Sequence, residues 1–448
     1  MNKIKKLSPV KIISLGYLIT ILVGTLLLML PIASKDRQAT SFIDSFFVST
    51  SATCVTGLTP FDTYTHWSLF GQIVILILIQ IGGLGFMTII TLVLMMLKKN
   101  IGLYNRTILM QSAGSYNISD MGPFIKRIIK GTLLFEGLGT IILALAFSKD
   151  MSFGKALYYG LFHSISAFCN AGFDIMGSTS GSLVGYSNNP IVLITIMFLI
   201  VIGGLGFVVW SDILDTKFNF KKMQLHTKIV LVFSGIIIIV PAFLFFILEF
   251  TAFGQAGAYQ DLSFGQKILN SFFLSISPRT AGFYSLDLNN LTSSGKLLTM
   301  ILMFIGGNSG STAGGIKITT FIVVLANIIS SARGKDNVVI FKRRVSNQII
   351  KQSSSLFVTY LVLVLIGVLV IAAVEPFTLE QVLFEVMSAL GTVGLSLGVS
   401  AQGMVVTKIV LILLMYAGRL GAVTLLSFYV EKRADDNLIE PKGKMLVG

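Results

Sequence analysis

The sequence predicts an all-α polytopic membrane protein of four pseudo-repeats, each a helix, a pore half-helix, a filter loop and a second helix, around a central pore. Three observations carry this. Of the 448 residues, 54% are hydrophobic and only 12% charged, about half the charged share of an ordinary soluble chain. Eight apolar runs are long enough to cross a hydrocarbon core of about 30 Å, which takes around 20 residues. Between them lie four Ser/Phe-rich stretches, SFIDSFFVSTSATCVTGL, ALYYGLFHSISAFCNAGF, KILNSFFLSISPRTAGF and QVLFEVMSALGTVGL. They share the glycines Gly57, Gly172, Gly282 and Gly394, spaced by 115, 110 and 112 residues.

In chain order the spans are 10–32 and 70–97, 128–147 and 191–214, 229–250 and 297–325 (interrupted), then 357–374 and 409–430. Each pair brackets one glycine turn, which sets repeats at 1–100, 101–216, 217–335 and 336–430, with a cytoplasmic tail at 431–448. Two spans per repeat give all four repeats the same orientation. Lys3, Lys5 and Lys6 ahead of the first run mimic a secretory signal, but that run is about 20 residues rather than 7–15, so it reads as a retained helix.

The net charge of +14 invites a nucleic-acid reading, and its distribution refuses one. Of 34 Lys and Arg, 24 fall in 3–11, 98–130, 217–228, 333–351 and 432–444, the two ends and the connections between repeats. Seven fall on the opposite side: Lys35, Arg37, Lys149, Lys155, Lys267, Lys296 and Lys408. The positive-inside rule then puts both termini in the cytoplasm and the glycine turns outward, in a cell membrane.

The turns read Val55-Thr56-Gly57, Asn170-Ala171-Gly172, Thr280-Ala281-Gly282 and Thr392-Val393-Gly394. Four such turns can ring one axis with backbone carbonyls that replace the water shell of a monovalent cation. Glycine reaches the φ values that aim carbonyls inward and adds no side chain to the ring. Carbonyls are alike whatever the side chain, so the differing residues are compatible with one filter. Ser49 and Ser51, Ser164 and Ser166, Ser275 and Ser277, and Ser388 can hold the turn from behind, as non-helical backbone at membrane depth requires. The bland reading, glycines that merely end helices, explains one copy better than four.

Cys54 and Cys169, each three residues before its glycine, read as small packing residues. His66, His163 and His226 are scattered, and no metal, nucleotide or catalytic constellation occurs, so an enzyme is not expected. The expected cargo is a monovalent cation, with no cofactor bound by the chain.

On these turns, on GGLGF at Gly82–Phe86 and Gly203–Phe207, on GGNSGSTAGGIK from Gly306, on GRLG at Gly418–Gly421 and on the tail ending Met445-Leu446-Val447-Gly448, the whole chain resembles the Ktr/Trk/HKT superfamily of potassium transporters, closest to the pore-forming membrane subunit of the Ktr type. The resemblance implies one filter glycine per repeat, weaker discrimination against sodium than a longer filter gives, and a potassium preference from glycine at Gly57. It also implies sodium-stimulated uptake, a homodimer, and a cytosolic ring of nucleotide-binding regulatory subunits. The basic stretches 217–228 and 333–351 either dock that ring or only fix topology and touch anionic lipid.

Every second span carries small residues near its middle: Gly82-Gly83, Gly203-Gly204, Gly306-Gly307 and Gly418. Close packing in lipid explains the first, second and fourth. The third continues through Gly306, Gly307, Asn308, Ser309, Gly310, Ser311, Thr312, Ala313, Gly314 and Gly315, a poor helix. It reads as a mobile intramembrane gate below the filter, against the alternative of a kinked packing helix. Arg419, 11 residues after Lys408, lies near mid-bilayer, where a charge needs a partner. By resemblance it braces the gate through loop carbonyls or raises a barrier to cations; a salt bridge to Glu136 is the alternative. Lys317 either snorkels to the interface or has a role of its own, and Arg279 is expected to tie the third turn to neighbouring backbone. Asp44, Asp174, Glu249, Glu375 and Glu380 lie on the outer side, Asp174 being placed either to draw cations toward the mouth or as a solvated rim charge. A secondary transporter with alternating access, coupled to sodium or protons, is the competing function.

Overall fold

A computed structural model of the chain describes residues 9–85, 88–89, 121–177, 181–251, 259 and 261–421. The tail with its Met445–Gly448 end, Phe86 of the first GGLGF, residues 90–97 of the second expected span, the lysines Lys3, Lys5 and Lys6, and the basic stretches 98–120 and 432–444 lie outside the described residues.

Four helix, half-helix, turn, helix units follow one another. The first holds α1 (Pro9–Leu28), α2 (Phe42–Cys54) and α3 (Leu69–Leu84). The second holds α4 (Met121–Phe147), α5 (Phe153–Phe168), α6 (Pro190–Leu205) and α7 (Phe207–Asp215). The third holds α8 (Leu225–Phe250), α9 (Phe264–Ile276), α10 (Ser293–Phe304) and α11 (Ile318–Ala332), and the fourth α12 (Asn347–Val374), α13 (Leu379–Gly391) and α14 (Val405–Leu420). The opening helix of each unit, α1, α4, α8 and α12, is long and apolar enough to cross a membrane. Their outward faces are bare Leu, Ile and Phe, such as Leu26, Leu133, Phe243 and Leu369 at 64–70% exposure, as a surface bathed in lipid requires.

The half-helices start and stop for local reasons. Ser41, Ser263 and Thr378 cap α2, α9 and α13 by accepting from backbone N–H groups, the latter two in full capping boxes with Gln266 and Gln381. Each carries a phenylalanine sealed from all solvent, Phe47, Phe162, Phe273 and Phe384, nine or ten residues before its glycine. α2 and α13 run 13 residues, about 20 Å at 1.5 Å per residue, too short to cross the bilayer. Each dips in and stops at the turn.

The second helices differ from expectation. Gly82, Gly203 and Gly418 do serve close packing: a Cβ on them would meet the carbonyls of Thr53, Phe168 and Leu390, each four residues before a turn glycine. Yet packing is not their whole story, because all of these helices also break. α3 stops at Gly85 (φ 84°) and α14 at Gly421 (φ 87°), while Gly206 (φ 102°) turns α6 into α7 by 85°. In the third unit 13 non-helical residues separate α10 from α11. These glycines stand three residues after the packing glycine, and no L-residue holds such φ cheaply. Beyond α11 a two-residue hairpin pairs Val339 with Arg344 and Ile340 with Arg343, turning at Phe341 and Lys342.

Candidate functional site

Two residues before each turn glycine the backbone has positive φ: Val55 (φ 58°) and Thr392 (φ 51°) directly cap α2 and α13, while Asn170 (φ 59°) and Thr280 (φ 71°) lie two and four residues past the ends of α5 and α9. Two residues on, Gly57, Gly172, Gly282 and Gly394 again have positive φ, 94°, 69°, 78° and 97°. Three of the four leading residues are β-branched, for which this conformation is a true outlier that only a rigid surround maintains. Helix-end carbonyls supply part of that surround: the N–H groups of Thr56, Ala171 and Val393 bond to the carbonyls of Ser51, Ser166 and Ser388 at 2.7–2.8 Å. The serine hydroxyls complete it. Ser51 Oγ accepts from Gly57 N at 3.0 Å and Ser388 Oγ from Gly394 N at 3.1 Å, while Ser166 donates to the Phe173 carbonyl at 2.7 Å and Ser277 to that of Phe283.

The four turns meet in a closed cycle. A Cβ on Gly57 would collide with the Ala171 carbonyl, on Gly172 with that of Ala281, on Gly282 with that of Val393, and on Gly394 with that of Thr56. Each glycine therefore faces the carbonyl that precedes the next glycine, and the fourth returns to the first. Any side chain here would collide with the backbone of the neighbouring turn.

Beside the ring lies the loop 305–317, held as irregular backbone rather than as a kinked helix. Its ends are pinned by Gly306 N to Ile316 O (2.8 Å) and Ile318 N to Gly307 O (3.1 Å). Asn308 donates from its Nδ2 to Gly204 O (2.9 Å) and Ser234 Oγ (3.2 Å), and Phe207 N donates to Gly310 O (2.8 Å). Ser309 pairs with Thr319, Ser311 donates to Asn308 O, and Thr312 donates to Phe168 O. A Cβ on Gly314 would strike Thr392 of the fourth turn, and one on Gly315 would lie 3.1 Å from Gly391 O, which brings the loop against the ring. Ala313 is buried and offers its carbonyl to Lys317 Nζ at 2.5 Å.

Arg419 spans this assembly. It donates to Thr312 O in the loop and to Gly82 O, with Gly83 O at 3.5 Å. The alternative ion pair with Glu136 is not made. Among the described residues the ion pairs are Arg127–Asp215, Lys296–Glu380 and Lys408–Asp44, and Glu136 instead accepts from Gln80 Nε2 at 3.1 and 3.3 Å. Lys317 holds Ala313 and Gly314 carbonyls rather than reaching away from the loop. Arg279 is buried, and its Nε has no hydrogen-bond partner. The third turn is closed by Ala281 N, which donates to Ser277 O at 3.0 Å.

Asp174 is half-buried beyond the second turn, and its Oδ1 accepts from Met176 N at 3.1 Å. Burial pushes this carboxyl up to about 7, against the Met176 N–H, with Asp62 adding to the rise. Glu249 and Glu375 are buried caps rather than rim charges, accepting from Thr292 and from Met404 and Thr407. Cys54 and Cys169 are buried behind their turns, with Cys169 against Gly83. Glu385, wholly buried behind the fourth turn and bonded to Ser396 Oγ and Ser400 N, escaped the sequence reading because nothing in a single acidic residue on a helix announces burial.

Long lipid-facing helices and re-entrant half-helices meeting at a strained backbone ring define a multi-pass membrane transport protein. The chain belongs to the TrkH family of cation transport proteins, whose model matches residues 9–440. It is 38% identical to the potassium/sodium uptake protein NtpJ of Enterococcus hirae, over 99% of this chain and 98% of that one. It is 37% identical to the Ktr system potassium uptake protein B of Bacillus subtilis, over 99% and 97%, and 35% identical to the protein of that description from Vibrio alginolyticus, over 98% and 94%. The fold matches the crystal structure of the potassium transporter TrkH from Vibrio parahaemolyticus with a TM-score of 0.75 at 18% identity, over 96% of this chain and 86% of that one.

Proposed function

We propose that the chain carries potassium into the cell through the ring of four glycine turns, a fourfold pseudosymmetric filter gated by the loop 306–315. The closed cycle of Gly57, Gly172, Gly282 and Gly394 against neighbouring carbonyls carries this reading. Such a ring offers a dehydrated monovalent cation carbonyl oxygens from four directions with no side chain in the way. A single layer of filter glycines implies modest rejection of sodium. Potassium uptake is also what the names of the similar proteins from Bacillus subtilis and Vibrio alginolyticus describe.

The loop acts as the gate because it lies against the ring and is held by hydrogen bonds to α6, α7 and Arg419, each of which can be exchanged. Arg419 and Lys317 brace it and place positive charge where cations must pass. The basic connections face the cytoplasm, the turns face outward, and a homodimer on a cytosolic nucleotide-binding ring controls opening. Uptake is stimulated by sodium, as the family resemblance implies. The competing alternating-access transporter has broken helices too. Potassium and sodium flux through the purified chain in liposomes, with and without a sodium gradient, separates the two. Potassium flux without the gradient is expected; flux strictly tied to it replaces the open filter with a coupled binding site.

A further inference from the structure

Between the start of α11, the first turns of α12 and the end of α14 lies a cavity of about 510 Å³. Among the described residues it is lined by Lys317, Lys351, Gln352, Ser355 and Arg419, and by no Asp or Glu. Lys351 is exposed and makes no ion pair among the described residues. Three cations around one cavity with no carboxylate call for an anion. Leu356 and Tyr360 give the same cavity an apolar wall.

Its depth and its flank say which anion. α12 has 28 residues, about 42 Å at 1.5 Å per residue, against a hydrocarbon core of about 30 Å. Counting around 20 residues back from Val374 reaches Ser355, so Lys351 and Gln352 stand at headgroup level. From Lys351 and Ser355 the same helical face continues through Val358, Val362, Leu365 and Leu369, exposed at 57%, 46%, 62% and 70%. A basic cavity thus opens onto an apolar stripe running toward the bilayer centre.

We propose that this cavity binds the phosphodiester headgroup of an acidic phospholipid of the cytoplasmic leaflet, with an acyl chain along the Val358–Leu369 stripe. The leaflet assignment rests on the orientation proposed above. The bound phosphate competes for Lys317, whose Nζ otherwise donates to Ala313 O at 2.5 Å and Gly314 O at 3.4 Å. Phosphate carries a full negative charge where a carbonyl carries only a dipole, so it attracts the ammonium more strongly. Occupancy therefore draws the ammonium off the loop and favours its release, so acidic lipid raises potassium flux.

The test uses the whole purified chain in vesicles of phosphatidylcholine, alone or mixed with phosphatidylglycerol bearing a photoactivatable acyl chain. Labelling is expected to concentrate on residues 358–369 and to fall about fivefold in Lys351→Gln, the weight of one basic residue at an acidic membrane surface. Ser355→Leu, which fills the cavity without touching charge, is expected to lower labelling as well, and Lys222→Gln to leave it unchanged. Phosphatidylglycerol is expected to raise flux in the native chain and not in Lys351→Gln, with equal flux for both in phosphatidylcholine. Labelling that ignores both cavity variants overturns the site. Displacement of the label by millimolar inorganic phosphate overturns the lipid in favour of a soluble anion. Because labelling needs no transport, a chain that binds the lipid yet passes no potassium in any vesicle refutes the pore and leaves the site standing.

Discussion

Val55, Thr280 and Thr392 hold a left-handed conformation that costs a β-branched residue about 1–2 kcal/mol each. Replacing them by glycine would relieve the strain, and their persistence says that the surround fixes the direction of the carbonyls more firmly than the residue resists. The glycine beside each one is constrained from the other side. At Gly57 the φ of 94° and the Ala171 carbonyl leave no room for a Cβ. Gly57→Ser is therefore expected to spread the ring and lower the preference for potassium over sodium by about tenfold, which is one 1.4 kcal/mol difference between two ions. Competitive flux of the two ions measures it. Gly154→Ala, where a Cβ meets nothing within 4 Å, is the matched control. An unaltered preference in a folded Gly57→Ser chain removes Gly57 from the discriminating layer.

At the scale of elements, the loop between α10 and α11 is 13 residues of irregular backbone whose charged hydrogen bonds come from Lys317 at its own end and from Arg419 across on α14. Hydrogen bonds to charged groups are worth about 1.5–3 kcal/mol, so Arg419→Gln is expected to raise potassium flux by about tenfold. Deleting residues 310–314 should raise it further. Flux that falls in both, with normal expression and melting, would mean that the loop supports the ring instead of closing it. Elements were unequally readable beforehand. α1, α4, α8 and α12 follow from uninterrupted apolar runs, and the turns follow from four Gly-terminated stretches. The breaks at Gly85, Gly206 and Gly421 did not follow, because one glycine in an apolar run looks the same whether it packs against a carbonyl or reverses φ. In GGLG it does both, three residues apart. The surroundings of Arg279 and Glu385 were illegible for another reason: burial of a charge depends on which neighbours the fold delivers, and no local pattern encodes that.

Across the whole molecule, two ion pairs join units that are not covalent neighbours at those points. Lys296 of α10 meets Glu380 of α13 at 3.0 Å, and Lys408 of α14 meets Asp44 of α2 at 2.7 Å. Both lysines stand 14 residues after a turn glycine, and each reaches the start of the following half-helix, so the second pair fastens the end of the chain to its beginning. Its partners are each 14% exposed, and breaking a half-buried pair costs about 1–2 kcal/mol, between the surface and buried limits. Asp44→Asn is expected to lower the melting point in detergent by that equivalent, with Lys408→Met adding little on top of it. Fully additive losses would show the two side chains acting apart.

A ring assembled from four different segments of one polypeptide can be edited one quarter at a time. In a channel of four identical subunits every substitution strikes all sides of the axis together, and small adjustments are out of reach. Here a change at Gly57 leaves the carbonyls of Ala281 and Val393 as they were. Under the filter role proposed for the ring, ion preference drifts by small increments, and two chains of this architecture can differ in the ion they favour while sharing three unaltered quarters.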